Sequence, residues 1–183
     1  MRKWFFALLA ATLALTGCDP EENIYIYEDI SFRYSPEFTI TEETPLPGGV
    51  HVVLKGMEDL VMYADITKPG GGIEDASWAE KEAFVKREAD AMMQTLRNDP
   101  SYEWTWEPLE NTSKHDRWSP DDEIPTSTWD IIQCKKDGEL HSVALFSRLY
   151  GKYLVRLRLE GPTEDKRGEL VWIASTFRLD ASE

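Results

Sequence analysis

The sequence predicts an α+β fold in which a largely antiparallel sheet is covered by a long central helix and a C-terminal helix. Three observations indicate this class. Several segments alternate apolar and polar residues with the two-residue period of strands, and they lie on both sides of one long helical pattern. Short turns join the last three strand segments, which is typical of antiparallel neighbours. A second amphipathic pattern follows those strands, so helices and strands do not alternate as they do in a parallel sheet.

The strands that precede the long helix come from the first third of the chain. Residues 24–34 read as one strand with a single buried face. That face contains Ile24, Ile26, Ile30, Phe32 and Tyr34. Residues 38–41 resemble a short second strand, and residues 42–49 read as a loop with two prolines and two glycines. Residues 50–54 and 60–66 predict an antiparallel hairpin, because only the five residues of "KGMED" separate them.

Two helices are predicted. The central helix begins at Trp78, because Ser77 and Glu80 form the capping-box pattern of a helix start. It ends near Asn98. Its apolar face keeps the helical spacing and contains Trp78, Val85, Ala89, Met92 and Leu96. Residues 164–177 predict the C-terminal helix, whose apolar residues recur at helical spacing. They are Leu170, Ile173, Ala174 and Phe177.

Four more strands are predicted after the central helix. Tyr102, Trp104 and Trp106 alternate with polar residues. This aromatic stripe either lies in the core under a helix or forms a stacking platform for a sugar ring or peptide. The other three strands occupy residues 129–134, 140–149 and 153–159. Cys134, at the end of one of them, is expected to be a buried and unreactive thiol.

The amino terminus has the pattern of a secretory signal. Arg2 and Lys3 precede an apolar run of roughly a dozen residues, which is shorter than the ~20 residues that span a bilayer as a helix. The residues Leu15-Thr16-Gly17-Cys18 resemble the lipobox of bacterial lipoproteins. The resemblance implies a lipid on the sulfur of Cys18 and cleavage just before this residue. An ordinary secretory signal with an incidental cysteine is the alternative.

The chain is therefore expected to have three parts. Residues 1–17 form a lipoprotein signal peptide, residues 18–23 the lipid anchor and a short tether, and residues 24–183 a single globular α+β domain. Asp19 follows the anchor directly, at a position that resembles the inner-membrane retention signal of enteric lipoproteins. We expect a lipid-anchored protein of the bacterial cell envelope that faces the periplasm, with the inner membrane favoured over the outer membrane.

Carboxylates outnumber basic side chains by a wide margin. The formal net charge is −14, and removal of residues 1–17 takes away Arg2 and Lys3, which changes −14 by two charges to −16. Such a surplus repels phosphate backbones and excludes nucleic acid as a partner. The expected partners are the membrane, through acylated Cys18, and a protein, for which a basic surface fits the charge. Cations and neutral ligands also remain compatible with this charge.

The order of the elements, together with "FRYSPEFTI", "YLVRLRLEG" and "IASTFRL", resembles the PsbP-like and DcrB-like family of small α/β/α domains. The resemblance covers residues 30–180. Several members of this family are bacterial lipoproteins. It implies that the domain is an adaptor, an assembly factor or a binding module, and it supplies no catalytic residue.

The longest irregular segment, residues 110–127, is the predicted binding region, because long loops in compact domains are usually functional. The candidate binding residues come from this loop and from the aromatic stripe. They are Trp104, Trp106, His115, Asp116, Trp118, Asp121 and Asp122. A solvated acidic run is the alternative interpretation of the loop. We predict no metal site and no cofactor, since the acidic spacing matches no EF-hand loop.

No catalytic motif stands out, and we expect the protein not to be an enzyme. The histidines, His51, His115 and His141, are scattered along the chain. The sequence contains no nucleophile elbow, HExxH motif or phosphate loop. The leading hypothesis is a non-catalytic binding or adaptor module. The alternatives are an inhibitor or immunity protein that neutralises a basic toxin or hydrolase, and a sensor of a small ligand or cation.

Overall fold

A computed structural model of the protein describes residues 22–104, 128–162, 173 and 176–179. These residues form ten strands, the long helix α1 (Trp78–Arg97) and a 3₁₀ turn (Ile73–Asp75). The strands are β1 (Asn23–Tyr27), β2 (Ile30–Tyr34), β3 (Thr39–Leu46), β4 (Gly49–Lys55), β5 (Val61–Thr67), β6 (Tyr102–Trp104), β7 (Thr128–Lys136), β8 (Glu139–Tyr150), β9 (Tyr153–Gly161) and β10 (Arg178–Leu179).

A seven-stranded sheet dominates the described part of the fold. Its strand order is β3-β4-β5-β9-β8-β7-β6, and every neighbouring pair is antiparallel. The predicted α+β class with a large antiparallel sheet is therefore confirmed. The predicted β4-β5 hairpin and the β7-β8-β9 meander are confirmed as well. Their short turns fix the order of neighbours, which is why the sequence pattern locates them.

A second, three-stranded sheet has the order β1-β2-β10. It corrects the prediction of one continuous strand over residues 24–34. Glu28 and Asp29 form a turn that reverses the chain, so that β1 and β2 pair as a hairpin. Glu28 has a φ of 51°, in the left-handed region that few residues other than glycine adopt. The turn contains neither glycine nor proline, and the alternation of apolar residues does not reveal it.

The reversal also changes which residues of β1 are buried. In this two-residue hairpin, odd-numbered residues of β1 share a face with even-numbered residues of β2, as the pair Tyr25 and Phe32 shows. Tyr25 and Phe32 are buried, whereas Ile24 and Ile26 are 56% and 63% exposed. The prediction that both isoleucines face the core is wrong, because it continued one alternation through the turn.

β3 is longer than predicted. Most of the predicted loop at residues 42–49 continues the strand and pairs with β4. The pairing shifts between Ile40 and Glu42, where a bulge accommodates an extra residue. β3 is an edge strand, and its side chains are mostly exposed. Such a strand has no apolar face, so its sequence pattern resembles that of a loop.

The main core lies between the two sheets. From the large sheet, β9 contributes the predicted apolar face, of which Tyr153, Val155 and Leu157 are members, and all of them are fully buried. From the small sheet, Phe32 stacks on Phe177 with 4.7 Å between the ring centroids. Burial of these large side chains on both sides is the main force that holds the small sheet in place.

Helix α1 packs on the opposite face of the large sheet, where it contacts β8 most extensively. The predicted capping box is present, because Glu80 N–H donates to the Ser77 hydroxyl and Ser77 N–H donates to the Glu80 carboxylate. On the apolar side of α1, Val85 packs against Leu149 and Leu154. The helix therefore begins where its capping residues predict and buries one stripe on the sheet.

The sequence prediction is wrong for one residue of the apolar helix face. Trp78 is 47% exposed, although Val85, Ala89 and Leu96 on the same predicted face are buried. Trp78 lies seven residues before Val85, about 10 Å further along the helix axis. The helical spacing thus identifies the buried face, but it does not say where along the axis that burial begins.

The predicted C-terminal helix over residues 164–177 is not confirmed, because most of these residues lie outside the part of the chain that the structure describes. Ile173 and Phe177, which are described, are buried in the main core. Among the described helical segments, none combines the length and the apolar character that crossing a bilayer requires.

Candidate functional site

Charged and aromatic side chains cluster on the side of the sheet that faces α1. The helix packs mainly against β8, with smaller contacts to β6 and β7, so among the described elements it leaves the same side of β4, β5 and β9 only partly covered. We call this cluster the polar face. Its members are His51, Tyr63, Asp65, Glu88, Tyr102, Lys136, Arg156, Arg158 and Glu160.

The alternation of β9 produces the polar face. Leu157 and Leu159 point into the main core, so Arg156, Arg158 and Glu160 point to the opposite side, because neighbouring residues of a strand face opposite ways. β9 is an interior strand, paired with β5 on one edge and β8 on the other. Charged groups in such a position are stable only when neighbouring elements supply partners.

One row of partners crosses from β4 to α1. His51 Nδ1 lies 2.5 Å from Asp65 Oδ1 on the neighbouring strand. The other carboxylate oxygen of Asp65 accepts a hydrogen bond from Arg156 at 3.2 Å, and Arg156 lies 3.7 Å from the Glu88 carboxylate of α1. All four side chains are about a quarter exposed. Asp65, Arg156 and Glu88 thus each lie next to a group of opposite charge, and each side chain remains partly accessible.

A second group converges on Glu160, whose side chain is only 3% exposed. Its Oε1 accepts hydrogen bonds from the Tyr63 hydroxyl at 3.0 Å and from Lys136 Nζ at 3.1 Å. Its Oε2 accepts a hydrogen bond from the Tyr102 hydroxyl. Three donors on three different strands thus occupy three of the roughly four acceptor positions of one buried carboxylate.

These contacts set the charge states at the centre of the polar face. Burial alone would raise the pKa of Glu160, but the hydrogen bond from Tyr102 and the charges of Arg158 and Lys136 outweigh burial and lower it. Burial and the Glu160 carboxylate together raise the pKa of Tyr102 and of Tyr63. At neutral pH the carboxylate is therefore ionised and both phenols are neutral donors.

The arginines keep donors that no described residue uses. The Arg158 guanidinium lies over the ring of Tyr63, 3.7 Å from its centroid, and its Nε is 3.9 Å from the Glu160 carboxylate, beyond hydrogen-bond distance. Within the described part of the chain, Nε of Arg156, Nε of Arg158 and the hydroxyl of buried Ser147 have no hydrogen-bond partner. Both Nε atoms are themselves buried, so the polar face holds its arginines in fixed positions with one donor of each left unsatisfied by the described residues.

The arrangement suits recognition of a polar partner. Among the described residues, no group of three or more metal-ligand side chains lies together. Cys134 is buried, and burial raises the pKa of its thiol to about 11, so it remains a thiol at neutral pH. Its predicted burial is confirmed. The chemistry of the polar face is that of ion pairs and of a guanidinium stacked on an aromatic ring.

The predicted binding residues are mostly beyond the described ranges. Trp104 is in β6 and pairs with Cys134 in the strand register. The other predicted residues, and the predicted lipid attachment site Cys18, lie outside the described residues. Those other residues are Trp106, His115, Asp116, Trp118, Asp121 and Asp122. Their roles stay predictions.

Sequence reasoning missed the polar face, although one signal, a pair of arginines, pointed to it. Arg156 and Arg158 interrupt the apolar strand "YLVRLRLEG", which the structure places inside the sheet. Two charges on an interior strand require partners on adjacent strands. The partners of Arg156, Asp65 of β5 and Glu88 of α1, are distant along the chain, however, and a strand's neighbours across a sheet are not visible in its own residue pattern.

Comparisons with known proteins identify the fold. No protein-family model matches the chain, and no curated protein matches it in sequence. Among solved structures, it is similar to the solution structure of cyanobacterial PsbP (CyanoP) from Synechocystis sp. PCC 6803, with a TM-score of 0.54 and 12% identity over 87% of this chain and 93% of that chain. The fold is therefore PsbP-like, as the resemblance implied.

Two further solved structures are similar at a lower level. One is LpqN of Mycobacterium tuberculosis, described as involved in cell envelope biogenesis, with a TM-score of 0.48, 12% identity and coverage of 86% of this chain and 89% of that chain. The other is a protein from Bacteroides thetaiotaomicron VPI-5482, with a TM-score of 0.49 and 12% identity over 87% of this chain. The match spans only 48% of that second protein.

Proposed function

We propose that the protein is a lipid-anchored, non-catalytic binding module of the bacterial cell envelope, which faces the periplasm and binds a protein partner through its polar face. The lipobox-like residues before Cys18 support the anchor, and the PsbP-like fold is compatible with an adaptor. Asp19 favours the inner membrane as the site of attachment. The observation that carries the proposal is the geometry of the polar face.

That geometry favours binding because the charged groups are fixed before a partner arrives. Lys136, Arg156 and Arg158 are each held next to a carboxylate, and each is only a quarter to a third exposed. Side chains that are already ordered lose little conformational entropy on binding. Charged and aromatic groups in fixed positions also give an interface its specificity and register. The acidic surplus of the whole chain attracts a basic partner over a longer range.

Photo-crosslinking in cells tests the binding surface. A photo-reactive amino acid replaces Lys55, which is exposed and lies in the same cross-strand row as Glu160. A matched chain carries it at Lys86, an exposed lysine of α1. We expect a defined crosslinked partner from position 55 and none from position 86. Arg158→Gln in the first chain should reduce the yield several-fold. Equal yields from both positions would contradict the proposal.

One observation favours a second candidate function, that of an inhibitor or immunity protein. The net charge of −14 suits a basic toxin or hydrolase as the partner. Capture of the partner from solubilised membranes at low and at high salt separates the two functions. An inhibitor should capture one basic enzyme, lose it at high salt and abolish its activity. Salt-resistant capture of a protein whose activity is unchanged supports the adaptor.

A further inference from the structure

The outward face of the small sheet combines exposed aliphatic side chains with arginines. Ile24 and Ile26 lie on β1, an edge strand of that sheet, and are more than half exposed. Arg33 of β2 is the cross-strand partner of Ile24, and Ser31 is the partner of Ile26. Arg178 of β10 pairs with Ser31 on its other side. We call these five residues the hairpin face.

The two isoleucines are not needed for the packing of the main core. The opposite side of the same hairpin provides that packing, through Tyr25 and Phe32, whose ring centroids are 5.3 Å apart. A single exposed aliphatic side chain needs no explanation. Two neighbours on one face of an edge strand, with arginines beside them, form a small apolar surface with a cationic rim.

Described acidic groups beside the hairpin face are paired with bases, although the chain has a net charge of −14. Glu22 accepts a hydrogen bond from Arg33 at 2.9 Å, and at the hairpin turn Lys68 pairs with Glu28 and Lys152 with Asp29. These pairs offset the charge of the three described carboxylates at this end of the domain, whereas Asp19 and Glu21 of the tether add two negative charges.

The predicted anchor brings this same end of the domain to the membrane. Only residues 19–23 separate Cys18 from Ile24, and five residues span at most ~18 Å when fully extended. β1 is thus the strand that the lipid must hold close to the bilayer. Its exposed side chains are aliphatic, which suits the headgroup boundary, and the neighbouring arginines suit lipid phosphates.

We propose that the hairpin face rests on the bilayer that holds the lipid anchor, with Ile24 and Ile26 at the headgroup boundary and with Arg33 and Arg178 at lipid phosphates. This inference rests on the proposed acylation of Cys18. The acyl chains provide the affinity for the membrane, and the hairpin face determines the orientation of the domain. A fixed orientation holds the polar face at a constant height and angle relative to the membrane.

Fluorescence quenching in vesicles tests the contact. The full-length chain, processed by the cell and purified from membranes, carries Ile26→Cys labelled with a polarity-sensitive dye. A matched chain carries the dye on Lys86→Cys of α1. The native Cys134 is buried and does not compete for the dye. Each chain is reconstituted into vesicles of phosphatidylethanolamine and phosphatidylglycerol that contain lipids with a shallow nitroxide quencher.

We expect quenching and a blue shift at position 26 and neither at position 86. Arg33→Gln combined with Arg178→Gln should reduce the membrane-contacting population, by about fivefold for each arginine. Equal quenching at the two positions, or none at position 26 in vesicles that retain the acylated chain, would overturn the contact and leave the anchor intact. A chain that is not acylated and does not bind the vesicles would overturn the anchor as well.

Discussion

The Glu160 carboxylate links its own strand to three other strands of the large sheet. The side chains that donate to it, Tyr63, Tyr102 and Lys136, belong to β5, β6 and β7, whereas Glu160 is in β9. β6 and β7 lie at the far edge of the sheet, beyond β8. The contacts of Tyr102 and Lys136 therefore cross β8 on the α1 side and link β9 to strands with which it does not pair, whereas Tyr63 belongs to β5, which pairs with β9 directly.

Replacement of Glu160 by glutamine should destabilise the fold. The amide keeps the shape but loses the charge, so Lys136 loses its ion-pair partner and one of the two phenols faces an NH₂ group instead of an acceptor. We expect a loss of about 2 kcal/mol in the free energy of unfolding, measured by urea denaturation. Glu103→Gln, at an exposed position of β6, is the control and should change stability by less than about 0.5 kcal/mol. Equal effects of the two substitutions would refute the role of Glu160.

The same carboxylate should contribute to acid sensitivity. Its pKa in the folded protein is lower than the ordinary value of 4.5 that it regains on unfolding. Its stabilising contribution is therefore fully present above that value and is lost as the pH falls through the lower folded pKa. Between about pH 6 and pH 3, wild type should lose more stability than Glu160→Gln does. Parallel pH profiles of the two proteins would contradict the assignment.

At the scale of single elements, two hairpin turns of the large sheet differ in how well their residues suit the backbone. Glu58 and Asp59, between β4 and β5, have φ values of 54° and 58°. Leu60 N–H donates to the Met57 carbonyl across this turn. Positive φ at both central positions is the type I′ geometry, which favours Asn-Gly or Asp-Gly. The β7-β8 turn has that preferred pair, Asp137 and Gly138.

The double substitution Glu58→Asn with Asp59→Gly should stabilise the protein. It gives the β4-β5 turn residues that adopt the left-handed conformation at lower cost, and both positions are exposed. We expect a gain of about 1 kcal/mol in the free energy of unfolding, seen as a higher melting temperature. Gly138→Ala is the opposite test and should destabilise, since Gly138 has a φ of 86°. A lower melting temperature for the double variant would disprove the turn assignment.

The N-cap of α1 offers a second test at this scale. Ser77→Ala removes the hydroxyl that accepts from Glu80 N–H, and it should cost about 1 kcal/mol of stability. Ser77→Asp keeps an acceptor at the helix N-terminus and should cost little. Chemical denaturation of both variants measures the difference. A serine-to-alanine effect no larger than that of the aspartate variant would contradict the capping role.

Elements with strong local signals could be predicted from the sequence, and those that depend on distant partners could not. Ser77 and Glu80 located the start of α1, and the short turns located the β7-β8-β9 meander. The β1-β2 turn was missed because Glu28 and Asp29 are stabilised by Tyr153, Lys68 and Lys152 from elsewhere in the chain. Such support leaves no trace in the local pattern.

At the scale of the whole molecule, the two faces of the large sheet serve different purposes. One face meets the small sheet in the main core, and the other meets α1 and carries the polar face. The sequence predicted the first face through the apolar alternation of β9. It did not predict the second, because the polar face assembles only when five strands, β4, β5, β6, β7 and β9, and the helix α1 are brought together.

Membrane attachment is expected to depend on Cys18 alone, since the hairpin face orients the domain without anchoring it. Cys18→Ala should move the protein from the membrane fraction to the soluble fraction of fractionated cells. The Arg33→Gln and Arg178→Gln double variant serves as the control and should stay with the membranes. A Cys18→Ala chain that still sediments with the membranes would contradict this division of roles.

The account depends most directly on the chemical state of the amino terminus, which mass spectrometry of the chain extracted from bacterial membranes measures. We predict an amino-terminal peptide that begins at Cys18 and carries the added mass of a lipid. A peptide that begins at Met1, or one in which Cys18 has an unmodified thiol, would contradict the account.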